Sequence, residues 1–398
     1  MKEKEFNGAE QTVHSEGSRR MSLKEYGKSI NMQSYTMVIL LIVIGIFLIV
    51  TTKGTFIQPR NLSNLLRQMS ITGFLTIGMM LIIVHGEIDL SIGSVMLFCS
   101  TVAAWLHVYQ HMGVGMTILL TLAVGTAIGA WNGFWVAKMA VPSFIATMGS
   151  QLVFKGLSLA ISNGAIMGPF SETYLILGQS YVPKTMGLIL GAACSAAAVL
   201  VILSGVRSKK KFSLDLEPAS IIIGKMVILV ALILGLVLIF NAHSGIAAPT
   251  LLLFLFALIF TLATTKTKFG RNLYAIGSNR EAAEYSGINV RMESFKAYLL
   301  MGLLSGMGAV VMTSRLNMAT STIGNMAEMD AISACVIGGV SMAGGLGSVP
   351  GALCGALLIA MLDNGMSLLN FDSFWQFVVK GIVLTIVVCY DISMRKKK

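Results

Sequence analysis

Apolar runs of membrane-spanning length govern how this chain can fold. Twelve stretches, at 35–52, 69–85, 91–107, 114–136, 142–162, 186–206, 221–240, 247–265, 295–313, 330–344, 349–368 and 374–390, are apolar over most of their length. All but one are long enough, or nearly so, to cross a hydrocarbon core of about 30 Å. In that solvent every backbone N–H and C=O must find a partner inside the protein, so runs of this length must span as helices. The run 330–344 is too short to cross as a straight helix and is expected to be short or broken. The expected fold is therefore all-α: a polytopic helical membrane protein of about 12 transmembrane segments (10–12), some of them broken. Composition agrees, because a soluble chain would carry about twice the 12% charged residues found here.

The net charge of +11 could point to nucleic acid, but its placement argues for an orientation signal. Most Lys and Arg residues fall in the tail 1–34, the loop around 207–211, the stretch 266–296 and the end 395–398. With twelve spans these segments share one face, which the positive-inside rule assigns to the cytoplasm. Both termini are then cytoplasmic. The domains are a cytoplasmic tail (1–34), a transmembrane domain (35–394) that contains the cytoplasmic loop 266–296, and a basic C-terminus (395–398). The outer loops are short except for 53–68 and 163–185.

Three stretches carry polar chemistry. The first, 270–290, reads GRNLYAIGSNREAAEYSGINV between two hydrophobic runs. Ser278 and Glu281 have capping-box spacing, in which hydroxyl and carboxylate each satisfy a free N–H. Arg280 to Glu284 are good helix formers, and Gly287 supplies a left-handed stop. The stretch reads either as a short docking helix or as an ordinary connecting loop. The second, GEIDLSIGS at 86–94, places Glu87 and Asp89 among small residues at a span boundary. Acids at membrane depth tend to face an aqueous path. The alternative is a tight turn in which Asp89 and Ser91 cap the third span. The third runs from Glu328 and Asp330 into the glycine-rich segment 338–348, where a half-helix is expected. Asn364, in the sequence Leu362-Asp363-Asn364-Gly365, adds a polar step near a span end. The four residues 92–95 (IGSV) and 346–349 (LGSV) hint at a repeat or match by chance.

Other patterns are weaker. Residues 22–29 end like a phosphate-binding loop, but Ser22 stands where a glycine is needed. His107 and His111 have ligand spacing on a helix with no acid between them, and they read as interfacial histidines. The five cysteines lie in apolar runs and read as buried small hydrophobes. Trp105, Trp131, Trp135 and Trp375 lie near span ends, as an aromatic belt would have them. No nucleophile–base pair or metal pattern suggests an enzyme, and no catalytic or metal residue is assigned.

The stretches 86–94, VPSFIATMG (141–149), 270–290, 327–358, LDNGMS (362–367) and FWQFVVKGIVL (374–384) together resemble the permease subunits of bacterial ABC-type monosaccharide importers in the ribose/xylose branch. The wording AEMDAI and LDNGMS, and the extra pair of spans around 207–211, are similar to the xylose type. The resemblance implies a cytoplasmic loop that docks on a separate ATPase subunit, here Gly270, Arg271, Ser278, Glu281, Ala282, Ala283 and Gly287. It also implies a permease homodimer in the inner membrane, fed by a sugar-binding protein. This chain would itself bind no cofactor, with ATP and Mg used by the ATPase. Candidate residues of the translocation path or gate are Glu87, Asp89, Ser91, Glu328, Asp330 and Asn364. Other readings are a permease for several monosaccharides, galactose/arabinose-like, or a cation-coupled secondary carrier using Glu87, Asp89 or Asp330. The orientation is open to test. A single cysteine replacing Ser286 in a cysteine-free background should react with an impermeant maleimide in inside-out vesicles and not in intact cells.

Overall fold

The computed structural model describes residues 36–395 except Ser213 and Asp215. The tail 1–34, with its loop-like 22–29, and the basic residues 396–398 lie outside the described residues. Fifteen helices account for most of the described chain. They are α1 Thr36–Thr51, α2 Pro59–Val84, α3 Ile92–Ala104, α4 Val114–Gly133, α5 Ser143–Ser162, α6 Glu172–Gln179, α7 Lys184–Lys211 and α8 Ala219–His243. They continue as α9 Ala248–Lys266, α10 Lys268–Ser278, α11 Arg280–Tyr285, α12 Val290–Leu316, α13 Ala327–Ile337, α14 Val349–Leu368 and α15 Ser373–Arg395. Among the described residues nine helices are long and apolar enough to cross a membrane, and α1 and α15 carry shorter apolar segments. The short segment expected at 330–344 is α13, only 11 residues long.

The chain divides into two compact units. One holds residues 185–239, most of α7 and α8, where Gly191 meets the Val237 side chain. Lys209 and Lys225 both reach Glu217 at the connecting turn, and this pair of cations holds the Glu217 carboxyl below its usual range. Most of the apolar side chains on these two helices are exposed, as suits helices whose solvent is lipid.

The other unit is organised around α2. From Phe74 to Val84 every side chain of this helix is buried, which fits a helix that is apolar all round. It is packed by α9, α12, α13 and α14. A second axis joins α4 to α12. Gly125, Gly129 and Gly133, one turn apart on α4, face Gly302, Gly306 and Tyr298 on α12, so closely that a Cβ at Gly129 or Gly302 would strike the opposite backbone. Small residues at this spacing let two helices touch along their backbones.

Several expectations need correction. The long outer loop at 53–68 is short, because α2 starts at Pro59 and carries Arg60, Asn61, Ser63, Asn64, Arg67 and Gln68 on its first turns. The loop 163–185 holds α6, pinned by the Tyr174–Thr313 hydroxyl contact at 2.9 Å. Cys99 and Cys335 are buried as expected, but Cys194 and Cys389 are exposed. The four-residue repeat is not structural. Ser348 caps α14 by accepting from Gly351 N, whereas Ser94 lies inside α3, two residues past its first. His107 bonds Met112 O and Ser171 Oγ, both at 2.9 Å, and stacks on Phe170.

Overpacking at the α4–α12 contact gives a direct test. Gly302→Val should destabilise the folded protein in detergent by about 1–3 kcal/mol, seen as a lower midpoint in a thermal unfolding assay. Gly235→Val on α8, where no atom lies within 4 Å of the added carbon, should change it little.

Candidate functional site

Two segments of non-helical backbone enter the helical unit. The first is 85–91, between α2 and α3. Gly86 takes a left-handed φ of 94°, and the chain then runs extended along the first turns of α5. Ile88 N donates to Ser143 Oγ at 3.4 Å and Leu90 N to Thr147 Oγ1 at 3.1 Å. The hydroxyls of α5 thus supply acceptors that a helix would have supplied internally. Asp89 is 2% exposed, and its Oδ1 accepts from Ser91 N at 2.8 Å and Ser91 Oγ at 2.6 Å. Asn132 on α4 donates to Ser91 Oγ at 2.8 Å, and Ser150 on α5 donates to Asn132 Oδ1. This polar chain lies about 10 Å along α5 from its start at Ser143, taking 1.5 Å per residue. Helix α3 therefore begins well inside the helical layer. The capping alternative is realised in part, since Asp89 orders the start of α3 while the Ser91 hydroxyl caps nothing.

The second segment is 317–326, between α12 and α13. Asn317 turns the chain with φ 59° and accepts from Phe170 N through Oδ1, and Ala319 pairs with Met167. Gly324, also left-handed at φ 77°, then meets Gly93 backbone to backbone. The two breaks thus touch each other. Glu328, buried in the first turn of α13, lies against Gly93 and accepts from Gln151 Nε2 at 3.4 Å. Ser321, Thr322, Asn325 and Lys155 are exposed nearby in sequence or on the facing helix α5.

The remaining path candidates lie apart from this junction. Asp330 is bound by Lys380 of α15 at 2.9 Å, and the same ammonium reaches Asp363 of α14 at 2.9 Å. One cation thus ties α13, α14 and α15 together, with the desolvation cost of three partly buried charges offset by their mutual attraction. Asn364 is buried and exchanges two hydrogen bonds with Asn61 of α2, at 2.8 and 2.9 Å.

The 270–290 stretch forms two helices rather than one. The expected capping box is absent. Ser278 closes α10, donating to Tyr274 O at 2.8 Å, and Asn279 caps α11 by accepting from Ala282 N at 2.9 Å. The cap thus falls one residue later than expected, next to the close approach of Gly277 to Val84 O and Gly345. Gly287 does take the left-handed stop, at φ 82°. Gly270 and Ala283 are buried. Ala283 joins Ile276, Val290 and Ile288 in a small apolar cluster that seats α11. Arg271, Ser278, Glu281, Ala282 and Gly287 are exposed. Tyr285, which the sequence did not single out, stands 92% exposed, and Leu346 of the adjoining glycine-rich loop is 68% exposed.

Arg280 of α11 joins this surface to the first break, with Nη1 3.5 Å from Glu87 Oε1. Glu87 is buried and shares its site with His85 and Tyr298. Burial raises the Glu87 pKa, opposed by the Tyr298 hydroxyl and by Arg280. Burial, reinforced by Arg280, lowers His85 to about 4, so the imidazole is neutral at pH 7 and the cation facing Glu87 is Arg280. Both residues lie outside the spanning helices. Sequence reasoning missed Arg280, Asn132 and Ser150. Lys380, a cation inside the apolar run 374–390, is the signal that would have found its acidic partners.

Residues 61–388 match the family described as branched-chain amino acid transport system / permease component. The xylose transport system permease proteins of Escherichia coli K12 and Haemophilus influenzae are 41% and 42% identical over 93% of this chain, covering 94% and 99% of their own lengths. The ribose import permease protein of Bacillus subtilis is 32% identical over 89% of this chain and 92% of its own. No solved structure matches.

The polar chain at the α3 start predicts a specific cost. Asn132→Leu should leave Ser91 and Ser150 without their shared partner, destabilising the protein by about 1–3 kcal/mol. Proteolysis in detergent should show faster cleavage than in wild type.

Proposed function

This chain belongs to the family of transport-system permease components, and from that membership we propose that it is the transmembrane subunit of an ABC importer for a monosaccharide, D-xylose or a related pentose. It resides in the bacterial cytoplasmic membrane as a multi-pass protein with both termini inside. A separate ATPase subunit hydrolyses ATP with Mg, a sugar-binding protein delivers the substrate, and two copies of this chain surround the path. The observation that carries this reading is the end-to-end similarity to xylose permeases at 41–42%, against 30–32% for ribose permeases. The family's name mentions branched-chain amino acids, but the relatives above are named for sugars.

The geometry supports the assignment of roles. Helix α11 and the 341–348 loop present Glu281, Ala282, Tyr285 and Leu346 outward beside the first break, a compact apolar and acidic surface suited to a helix-in-groove contact. Gly270, Arg271, Ser278, Ala283 and Gly287 shape and seat it. The junction of the two breaks, with Asp89, Ser91 and Glu328, supplies polar groups at membrane depth beside a path that needs only to be wet and weakly polar. Glu87 stands at its docking side, and Asp330 and Asn364 brace α13 and α14 around it.

Reconstitution decides the function. Proteoliposomes holding this chain with its ATPase subunit, and supplied with the binding protein, should take up labelled xylose only when ATP is on the ATPase side. Uptake driven by a proton gradient without ATP would overturn the reading. Within that assay Glu281→Lys and Gly287→Val should each cut uptake roughly tenfold, the second because a β-branched residue is strained at positive φ, while the protein remains folded and inserted.

A further inference from the structure

Two facts about α11 stand out. It is joined to α10 through the single extended residue Asn279, with φ −158° and ψ 103°. Its side-chain ties to the unit include the apolar seat of Ala283 and the ionic contact of Arg280 with Glu87. Helix α10, by comparison, is held firmly, with Gly277 against the last carbonyl of α2 and Tyr274 Oη donating to Gly347 O at 2.9 Å.

Glu87 sits at the entry to a segment that is otherwise tightly bound. Ile88 and Leu90 are fixed to α5, and Asp89 is fixed through Ser91 to Asn132 and Ser150. Three residues further on, Gly93 touches Gly324. A displacement of Glu87 therefore acts on the start of α3 and, through the glycine contact, on the turn that precedes α13. Arg280 also has a second acidic neighbour, Glu284, at 4.0 Å on its own helix. Glu87 has no comparable substitute. His85 is neutral, Tyr298 offers a hydroxyl and no charge, and Asp89 repels it. A buried carboxylate whose counter-charge withdraws must follow it or become costly.

We propose that the Arg280–Glu87 pair is the link that passes movement of α11 to the broken start of α3, making Arg280 a positioning residue for the transport step. The proposal rests on the reading of α11 as the ATPase-docking helix. The pair couples two states: when α11 is seated, Glu87 is held at the mouth of the 86–91 segment, and when α11 is drawn outward, Arg280 either carries Glu87 with it or turns to Glu284.

The test uses the reconstituted complex of this chain, its ATPase subunit and the binding protein, reading sugar molecules imported per ATP hydrolysed. Arg280→Gln and Glu87→Gln should each lower that ratio roughly fivefold or more, with ATPase subunit still co-purifying. The double variant should be no worse than either single one, and Arg280→Lys should keep most of the wild-type ratio. Unchanged ratios, or losses that multiply in the double variant, would overturn the link. Should Glu87→Gln not insert, the half-exposed Arg280 decides alone: equal losses with Gln and Lys would also overturn it. Ala282→Trp separates the two readings. If that variant still assembles with the ATPase at full coupling, the docking reading falls and the link with it. If it blocks assembly while Arg280→Gln leaves the ratio intact, the link alone is wrong.

Discussion

Backbone polar groups buried in a helical layer must be satisfied where they stand, and the rest of this structure depends on how that is done at two breaks. At 86–91 the donors are taken by Ser143 and Thr147 of α5 and by the Asp89 carboxylate. At 317–326 they are taken by the Met167–Ala319 pair and by turns closed within the segment. Neither segment could persist on its own in hydrocarbon, and each is tolerated because neighbouring helices supply the missing partners. The short helices that follow, α3 and α13, are consequences of this arrangement. Their starts meet because glycines at 93 and 324 leave nothing between the two backbones.

The charged groups follow the same logic. Each acid placed inside the layer has a named partner: Asp89 has Ser91, Glu328 has Gln151, and Asp330 and Asp363 share Lys380. A permease for a neutral sugar has no need of a fixed charge facing its cargo, so acids that remain can serve as fasteners between helices. Glu87 differs because its cation comes from a surface helix. That places one end of an internal contact on an exposed surface of the protein.

Much of this was legible in the sequence. All twelve apolar runs became helices; the largest departures from their expected limits are α2, which begins ten residues early, α13, which ends seven early, α12, which begins five early, and α7 and α15, which each end five late. The first miss has a simple cause. Hydropathy marks where a helix is apolar, and Arg60 to Gln68 extend the same helix with polar side chains outside that range. The shift of the cap from Ser278 to Asn279 was not legible, since both residue types cap helices well. Asn132 and Ser150 are isolated polar residues on different helices, and no spacing along the chain announces that they share a partner. Gly125, Gly129 and Gly133 recur at every fourth residue, but their complement on α12 lies more than 160 residues away and no spacing along the chain connects the two.

The α4–α12 contact has a mechanical consequence. Two helices whose backbones touch at three successive turns cannot slide past each other by part of a turn, because each glycine is lodged in a notch sized for it. They behave as one strut. Give in the unit is left to the places joined by polar ties and single turns, which a small displacement can stretch or exchange without tearing apart a packed face. Strength and compliance are thus laid down in different residue types, glycine for the strut and hydroxyl, amide and carboxylate for the joints.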